Sequence, residues 1–285
     1  MTVTEALKQA ASLLASSGTI TANIETPALD AGLLLGKLLH LDKAGLILNG
    51  KKKLSEKKYL QYQELLKRRL DGECIAYILG HREFFGLEII VNNNVLVPRP
   101  ETEILVEKGL ELISARNPKT SKTILDLCTG SGAIAIAMKH KMPELEVWAS
   151  DISKKALAMA HKNSARHNTR IHFIKSDLFS NIKNSFDMII TNPPYICSGK
   201  ISSLAPEVKR EPRLALDGGH DGLDLIRRII QDSVQHLLPG GILLMEADNG
   251  QEPIIEKLLF NAGLRECRTF NDLSGQFRLI SASYR

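Results

Sequence analysis

The pattern of apolar and polar positions changes character about a third of the way along the 285-residue chain. Through residue 80 the apolar positions recur at helical spacing. Thr2 and Glu5 read as a capping box ahead of Ala6, Leu7, Ala10, Leu13 and Leu14, with Gly18 as the stop. Thr26 reads as an N-cap and Pro27 as the first helical residue before a stripe of Leu29, Leu33, Leu34, Leu35, Leu38 and Leu39. A third helix is predicted over Ser55 to Leu70. Helices of this kind bury their apolar faces against one another, so residues 1–80 are predicted to be a small helical bundle. Residues 82–97 then alternate, and Asn92-Asn93-Asn94 stands between the apolar runs Leu87–Val91 and Val95–Val97. This predicts a β-hairpin linker over 81–98 that turns at the asparagines. Pro98 and Pro100 end it, and Glu101 and Glu103 begin the next helix, where unpaired N–H groups favour negative charge.

From residue 99 to 285 short apolar runs alternate with helical stretches. Seven strands are predicted: Thr123–Leu127, Glu146–Ser150, Ile171–Lys175, Met188–Thr191, Gly241–Glu246, Leu264–Phe270 and Phe277–Ser281. Helices fill the intervals near 131–141, 153–167, 222–238 and 250–262. Such alternation implies an α/β domain with a mostly parallel sheet covered on both faces. Ligands in these sheets bind beyond the carboxyl ends of the strands, where the strand order reverses. The residues that end strands therefore carry the functional question.

Composition narrows the field. Apolar residues at 44% and charged residues at 24% describe an ordinary folded protein and exclude a disordered chain or a disulfide scaffold. The net charge is +5, with eleven Lys and Arg against eight Asp and Glu in residues 1–80, leaving twenty-six against twenty-four in the rest. That is a weak footprint for gripping a phosphate backbone, and 5% aromatic content argues against a base-stacking surface. The densest basic stretch, Lys51 to Lys53 with Lys57 and Lys58, reads as a solvated loop and helix start. Cys74, Cys128, Cys197 and Cys267 lie more than fifty residues apart, without the spacing of a zinc site or redox pair, and no metal is expected. No secretory signal or membrane-length apolar run is present, so the reading is a cytoplasmic protein.

The first strand leads into Asp126-Leu127-Cys128-Thr129-Gly130-Ser131-Gly132. Glycines there permit a tight turn and close backbone approach by a ligand, and the following helix offers free N–H groups. Packing alone also explains such a turn. The second strand ends at Asp151, placed to accept a ribose diol, and the third leads to Asp177-Leu178, placed to receive an adenine amino group; either acid could equally be a helix cap. The fourth delivers Asn192-Pro193-Pro194-Tyr195, in which two prolines fix two φ angles and leave rigid carbonyls. An amide or exocyclic amino nitrogen is a poor nucleophile because its lone pair is delocalised. Acceptors at its hydrogens, here the Asn192 side-chain oxygen and the Pro193 carbonyl, bias it toward attack, while Tyr195 holds its plane.

Together these residues resemble the class I S-adenosylmethionine-dependent methyltransferases that modify planar nitrogens. The four-residue motif fits adenine in DNA, guanine in ribosomal RNA and glutamine in proteins alike. Flanking strings choose among them. Thr26 to Ala31, Arg68-Arg69, Ala76 to Gly80, Phe84 to Leu87, Val97-Pro98-Arg99-Pro100-Glu101-Thr102-Glu103, Glu211-Pro212, Ala215-Leu216-Asp217-Gly218-Gly219, Gly222-Leu223-Asp224 and Asp272-Leu273-Ser274-Gly275 before Arg278 resemble the peptide chain release factor glutamine methyltransferases.

The resemblance implies a Rossmann-like seven-stranded domain at 99–285, S-adenosylmethionine as cofactor, and methylation of the glutamine in the Gly-Gly-Gln motif of class I release factors. It implies that Asp126, Thr129, Gly130, Gly132, Asp151, Asp177, Leu178 and Asn192 bind the cofactor. Asn192, Pro193 and Tyr195 would act in catalysis, and these with Pro194, Arg99 and Glu103 would bind substrate. The bundle would hold the release factor, the enzyme acting as a monomer without touching nucleic acid. The chain departs from the family at Cys74, Cys128, Arg210 and Asp248, where proline, glycine, tyrosine and glycine are usual. Cys128 suits its loop if its φ is negative. A nucleic-acid amino methyltransferase and a non-catalytic assembly factor are the competing readings.

Overall fold

The computed structural model describes residues 1–16, 24–116 and 122–285; Gly18, the expected stop of the first helix, lies outside them. The described chain divides into two compact units, Met1–His81 with Ser203–Glu211, and Arg82–Ser202 with Pro212–Arg285.

The first unit is helical: α1 (Val3–Ser16), α2 (Pro27–Leu39), α3 (Lys43–Leu48), α4 (Glu56–Leu70) and α5 (Ile75–Leu79). The capping box forms as the sequence reads, with the Thr2 N–H donating to Glu5 Oε2 at 2.8 Å and the Glu5 N–H to Thr2 Oγ1 at 3.3 Å. Thr26 occupies the N-cap of α2 but does not cap it with its side chain; its hydroxyl lies 3.4 Å from Asp30 Oδ1. The leucine stripe of α2 divides. Leu34 and Leu35 are buried, whereas Leu29 and Leu33 are exposed, because the core-facing side is completed by Ala31 and by Asp30, which accepts from Arg69 Nε at 2.7 Å. Arg69 also pairs with Glu207 at 2.9 Å, binding the 203–211 segment into this unit. Arg210 donates to the Asp71 carbonyl in the same unit.

The hairpin differs from its expectation. Its strands are β1 (His81–Phe84) and β2 (Leu87–Ile90), and the turn is at Phe85-Gly86, both with positive φ, at 52° and 78°. Asn92–Asn94 form a separate turn, in which Asn92 Oδ1 accepts from the Asn94 N–H at 3.0 Å, and Val95–Val97 follow as irregular chain. Glycine after an aromatic residue outcompeted the asparagines because it takes a left-handed φ at little cost.

Seven further strands build one sheet: β3 (Thr123–Leu127), β4 (Glu146–Asp151), β5 (His172–Lys175), β6 (Phe186–Thr191), β7 (Leu237–Glu246), β8 (Arg265–Asn271) and β9 (Phe277–Ser283). Their order is β5-β4-β3-β6-β7-β9-β8, parallel through β7, with β9 antiparallel to both neighbours. The helices α6 (Glu103–Ser114), α7 (Ala133–Lys141), α8 (Lys154–Arg166), α9 (Asp224–Ser233) and α10 (Glu252–Asn261) connect them, α6 following a 3₁₀ turn at Pro100–Thr102. Leu125, Ile189 and Leu243 of the central strands are buried, as the apolar runs required. The chain goes from β3 outward to β5 and returns on the other side of β3 as β6, so the order reverses between β3 and β6. Register makes that point a site: Leu127 pairs with Ser150 and Thr191, and Thr191 with Met245. The residues one step further, Cys128, Asp151, Asn192 and Glu246, therefore share one row at the rim of the sheet.

Candidate active site

A cavity of about 350 Å³ opens at this rim, within the size range of small-molecule sites. Gly130, Asp151, Asp177, Leu178, Asn192 and Pro194 all line it, together with Cys128, Leu127, Ile152, Ala215 and Arg228. The structure thus brings together the glycine loop, the acids of two strand ends and the asparagine of a third. Asp126, Thr129, Gly132, Pro193, Tyr195, Arg99 and Glu103 do not line it.

Asp126 is wholly buried beneath the loop. Its Oδ2 accepts from Thr129 Oγ1 at 2.5 Å and from the Ala135 N–H at 3.1 Å, while Oδ1 has no partner. Burial pushes its pKa up to about 7, against the opposing pull of those two bonds. Asp126 therefore shapes the loop from below. Asp151 holds it from the side: Oδ2 accepts from the Gly130 N–H at 2.9 Å and Oδ1 from the Ser153 N–H at 2.8 Å. Burial raises its pKa and these backbone donors resist the rise. Gly130 and Gly132 take φ of 56° and 82°. A β-carbon on Gly132 would also stand 3.0 Å from the Ala160 side chain, so helix packing demands this glycine as well.

Cys128 corrects the sequence reading, since its φ is +63°. It holds the left-handed conformation that suits glycine, and burial raises its thiol pKa. Asp177 meets Arg228 Nη2 at 3.1 Å at the mouth of the cavity, and both are half exposed. Leu178 is buried with a φ of 46°.

The Asn192–Tyr195 segment is held on several sides. Asn192 Nδ2 donates to Thr102 Oγ1 at 3.2 Å. Pro193 is buried. The Tyr195 hydroxyl donates to Glu246 Oε1 at 3.1 Å, and its carbonyl accepts from Gln251 Nε2 at 3.0 Å. Burial raises the pKa of both Tyr195 and Glu246. The 215–224 loop seats against the same backbone: the Ile196 N–H donates to the Leu216 carbonyl at 3.0 Å, and the Gly218 N–H to the Ile196 carbonyl at 2.8 Å. A β-carbon on Gly222 would lie 2.2 Å from the Tyr195 carbonyl oxygen. These contacts explain why glycines stand at 218 and 222. Glu103 instead accepts from the Phe85 N–H at 3.1 Å, joining α6 to the hairpin turn, and Arg99 precedes the 3₁₀ turn. Thr102, Glu246 and Gln251 had no chemical reading in the sequence. Their signals were weaker: Thr102 stood within the Val97–Glu103 string, and Glu246 ended a predicted strand.

Among the described residues no cluster of His, Cys, Asp and Glu could hold a metal ion, and no helix is long and apolar enough to cross a membrane.

A doubly wound sheet with this loop and this asparagine at its switch point defines a methyltransferase, and the profile of the Methyltransferase small domain matches residues 103–208. That of the PrmC N-terminal domain matches residues 5–80. The release factor glutamine methyltransferase of Bradyrhizobium diazoefficiens is 40% identical over 92% of this chain and 90% of its own. That of Geobacter sulfurreducens is 37% identical over 90% and 89%. The chain belongs to the release factor glutamine methyltransferase family. Its fold is also that of the ribosomal protein L11 methylase of Lactobacillus delbrueckii subsp. bulgaricus, at a TM-score of 0.51 and 23% identity over 69% of this chain and 85% of that one.

Proposed function

We propose that this protein transfers a methyl group from S-adenosylmethionine to the side-chain amide nitrogen of the glutamine in the Gly-Gly-Gln motif of class I release factors, and so supports translation termination. The observation that carries the reading is the meeting of Asn192 with Asp151, Asp177 and the Gly130 loop around one cavity. The cavity fits the cofactor chemically. Leu127, Ile152 and Leu178 offer apolar surface to a flat base, and two carboxylates lie within it as acceptors. Asp151 receives the ribose diol, Asp177 the adenine amino group, and the Gly130 backbone lets the ligand approach closely. Asp126, Thr129, Gly132 and Leu178 keep that loop and wall in shape. Bound there, S-adenosylmethionine supplies an activated methyl on its sulfonium.

The chain's own task is alignment. The Asn192 side-chain oxygen and the Pro193 carbonyl accept the two amide hydrogens of the glutamine, which localises the nitrogen lone pair and turns it toward the methyl. Tyr195 lies against the amide plane, Pro194 closes the wall, and Arg99 and Glu103 meet the substrate at the rim. Residues 1–80 hold the release factor, the hairpin at 81–98 joins the two parts, and 99–285 carry out the chemistry. The enzyme works as a monomer in the cytoplasm on a protein and not on nucleic acid. The test is transfer of labelled methyl from cofactor to a class I release factor, beside DNA and ribosomal RNA as acceptors. Label is expected in the release factor alone and is lost when its Gly-Gly-Gln glutamine is replaced. Label in either nucleic acid with none in the release factor overturns the reading.

A further inference from the structure

An asparagine side chain presents a donor at one end and an acceptor at the other, in nearly the same shape. Only the acceptor end can receive a substrate N–H, so something must fix which end faces the cavity. Asn192 Nδ2 is tied to Thr102 Oγ1 at 3.2 Å. Thr102 is buried at the 3₁₀ turn before α6. A hydroxyl has a single proton, and once its oxygen accepts from Asn192 that proton needs an acceptor of its own.

The acceptor is next in line. Glu246, 1% exposed, ends β7 on the row that holds Asn192, since Thr191 and Met245 are paired just before them. Its Oε1 receives the Tyr195 hydroxyl, and its buried Oε2 has no hydrogen bond. A buried polar atom without a partner calls for an explanation, and the Thr102 hydroxyl is among the groups that hold the Glu246 pKa down against its burial. Burial raises the Glu246 pKa, and the hydroxyls of Thr102 and Tyr195 and then the Arg278 charge oppose that rise; in the ionised form the carboxylate accepts at both oxygens.

We infer that Thr102 and Glu246 are positioning residues: Asn192 Nδ2 to Thr102 Oγ1, and the Thr102 hydroxyl to Glu246, form a relay that keeps the Asn192 oxygen turned to the cavity. The same carboxylate anchors the Tyr195 hydroxyl, so one buried acid orients both ends of the Asn-Pro-Pro-Tyr segment. The inference deepens the proposed function and rests on it for its catalytic consequence. A reversed amide would set N–H against N–H, removing an acceptor the reaction needs.

The experiment compares wild type with Thr102→Val, which keeps the shape and removes the hydroxyl, and with Thr102→Ser, which restores it. With release factor as substrate, Thr102→Val is expected to lower kcat by about tenfold or more while KM and cofactor Kd stay within about twofold, and Thr102→Ser to recover most of the rate. Without any substrate, the Asn192 side-chain amide protons, followed by NMR in asparagine-labelled protein, are expected to exchange about tenfold faster in Thr102→Val and at the wild-type rate in Thr102→Ser. Glu246→Gln, which can accept from only one of the two hydroxyls, is expected to fall between and serves if the valine variant does not fold. Unchanged exchange in both Thr102→Val and Glu246→Gln, or serine failing as valine fails, overturns the relay. A wild type that never methylates release factor overturns the functional reading instead, and the exchange measurement still decides the relay.

Discussion

Cys128 holds a left-handed backbone at the turn that leads into the glycine loop. A residue with a β-carbon loses about 1–2 kcal/mol in that conformation. Cys128→Gly is therefore expected to be more stable than Cys128→Ala by about 1 kcal/mol, measured by urea unfolding; equal stability would mean that the thiol's contacts, and not backbone strain, govern the position. The other departures are easier to accommodate. Cys74 has a φ of −63°, the value proline would fix, and Asp248 is not among the left-handed residues, Gly250 taking that turn. Asp126 adds a pH dependence. Its pKa rises on folding to about 7, so the protonated acid contributes stability that is complete below its ordinary value of 3.8 and is lost as pH rises through 7. The ligand-free protein is expected to lose stability between pH 4 and 8 more steeply than Asp126→Asn, followed by thermal unfolding across that range; parallel profiles would contradict this. Asp151 and Asn192 were legible in the sequence because each ends a strand. Asp126 was legible only as an acid in the motif, since nothing in spacing tells whether a carboxylate faces the ligand or the underside of its loop.

Among the elements, the 192–195 segment depends on a neighbour distant in sequence. The 215–224 loop packs so closely on it that Gly222 has no room for a side chain, and Gly218 would bring a β-carbon within 2.8 Å of the Pro194 oxygen. Gly80, by contrast, has φ +84° with nothing near. Gly80→Ala should cost only the backbone term of about 1 kcal/mol. Gly222→Ala adds an overlap worth about 1–3 kcal/mol more and displaces Tyr195, so it should also depress turnover. Unfolding and steady-state rates on both variants check this, and equal losses would deny the packing argument. Six of the ten ends of the parallel strands fall where the sequence put them and the other four within one to four residues, because buried parallel strands are near-continuous apolar runs. A hairpin does lie within the expected stretch, but over residues 81–90 with other strands and another turn, as three asparagines outweighed Phe85-Gly86 in a reading based on turn residues. The short helices α3 and α5 offer too few turns for periodicity to reveal.

At the scale of the molecule, the helical unit claims a segment from far along the chain. Arg69, almost wholly buried, meets Asp30 at 2.7 Å and Glu207 at 2.9 Å, and so fastens 203–211 to the first eighty residues. No local pattern announces such a pairing, which is why the sequence suggested a bundle ending at residue 80. Arg69→Met leaves Asp30 buried without its cation and is expected to cost about 3–5 kcal/mol, measured by thermal unfolding with proteolysis of the 203–211 segment; a loss under about 1 kcal/mol would make the pair incidental. The charge is divided as well. Residues 1–80 hold three of the five net positive charges, which supports a protein-docking role for that unit more than a nucleic-acid grip by the catalytic one.

Methyl transfer to one glutamine, directed by Asn192, is the reaction proposed for this enzyme. Fragment mass spectrometry of a class I release factor incubated with this enzyme and S-adenosylmethionine tests it most directly. One added methyl is expected on the Gly-Gly-Gln glutamine with wild type, and at least about 10²-fold slower addition with Asn192→Ala despite near-normal cofactor affinity. An unmodified glutamine with wild type, or an Asn192→Ala enzyme as fast as wild type, would contradict it.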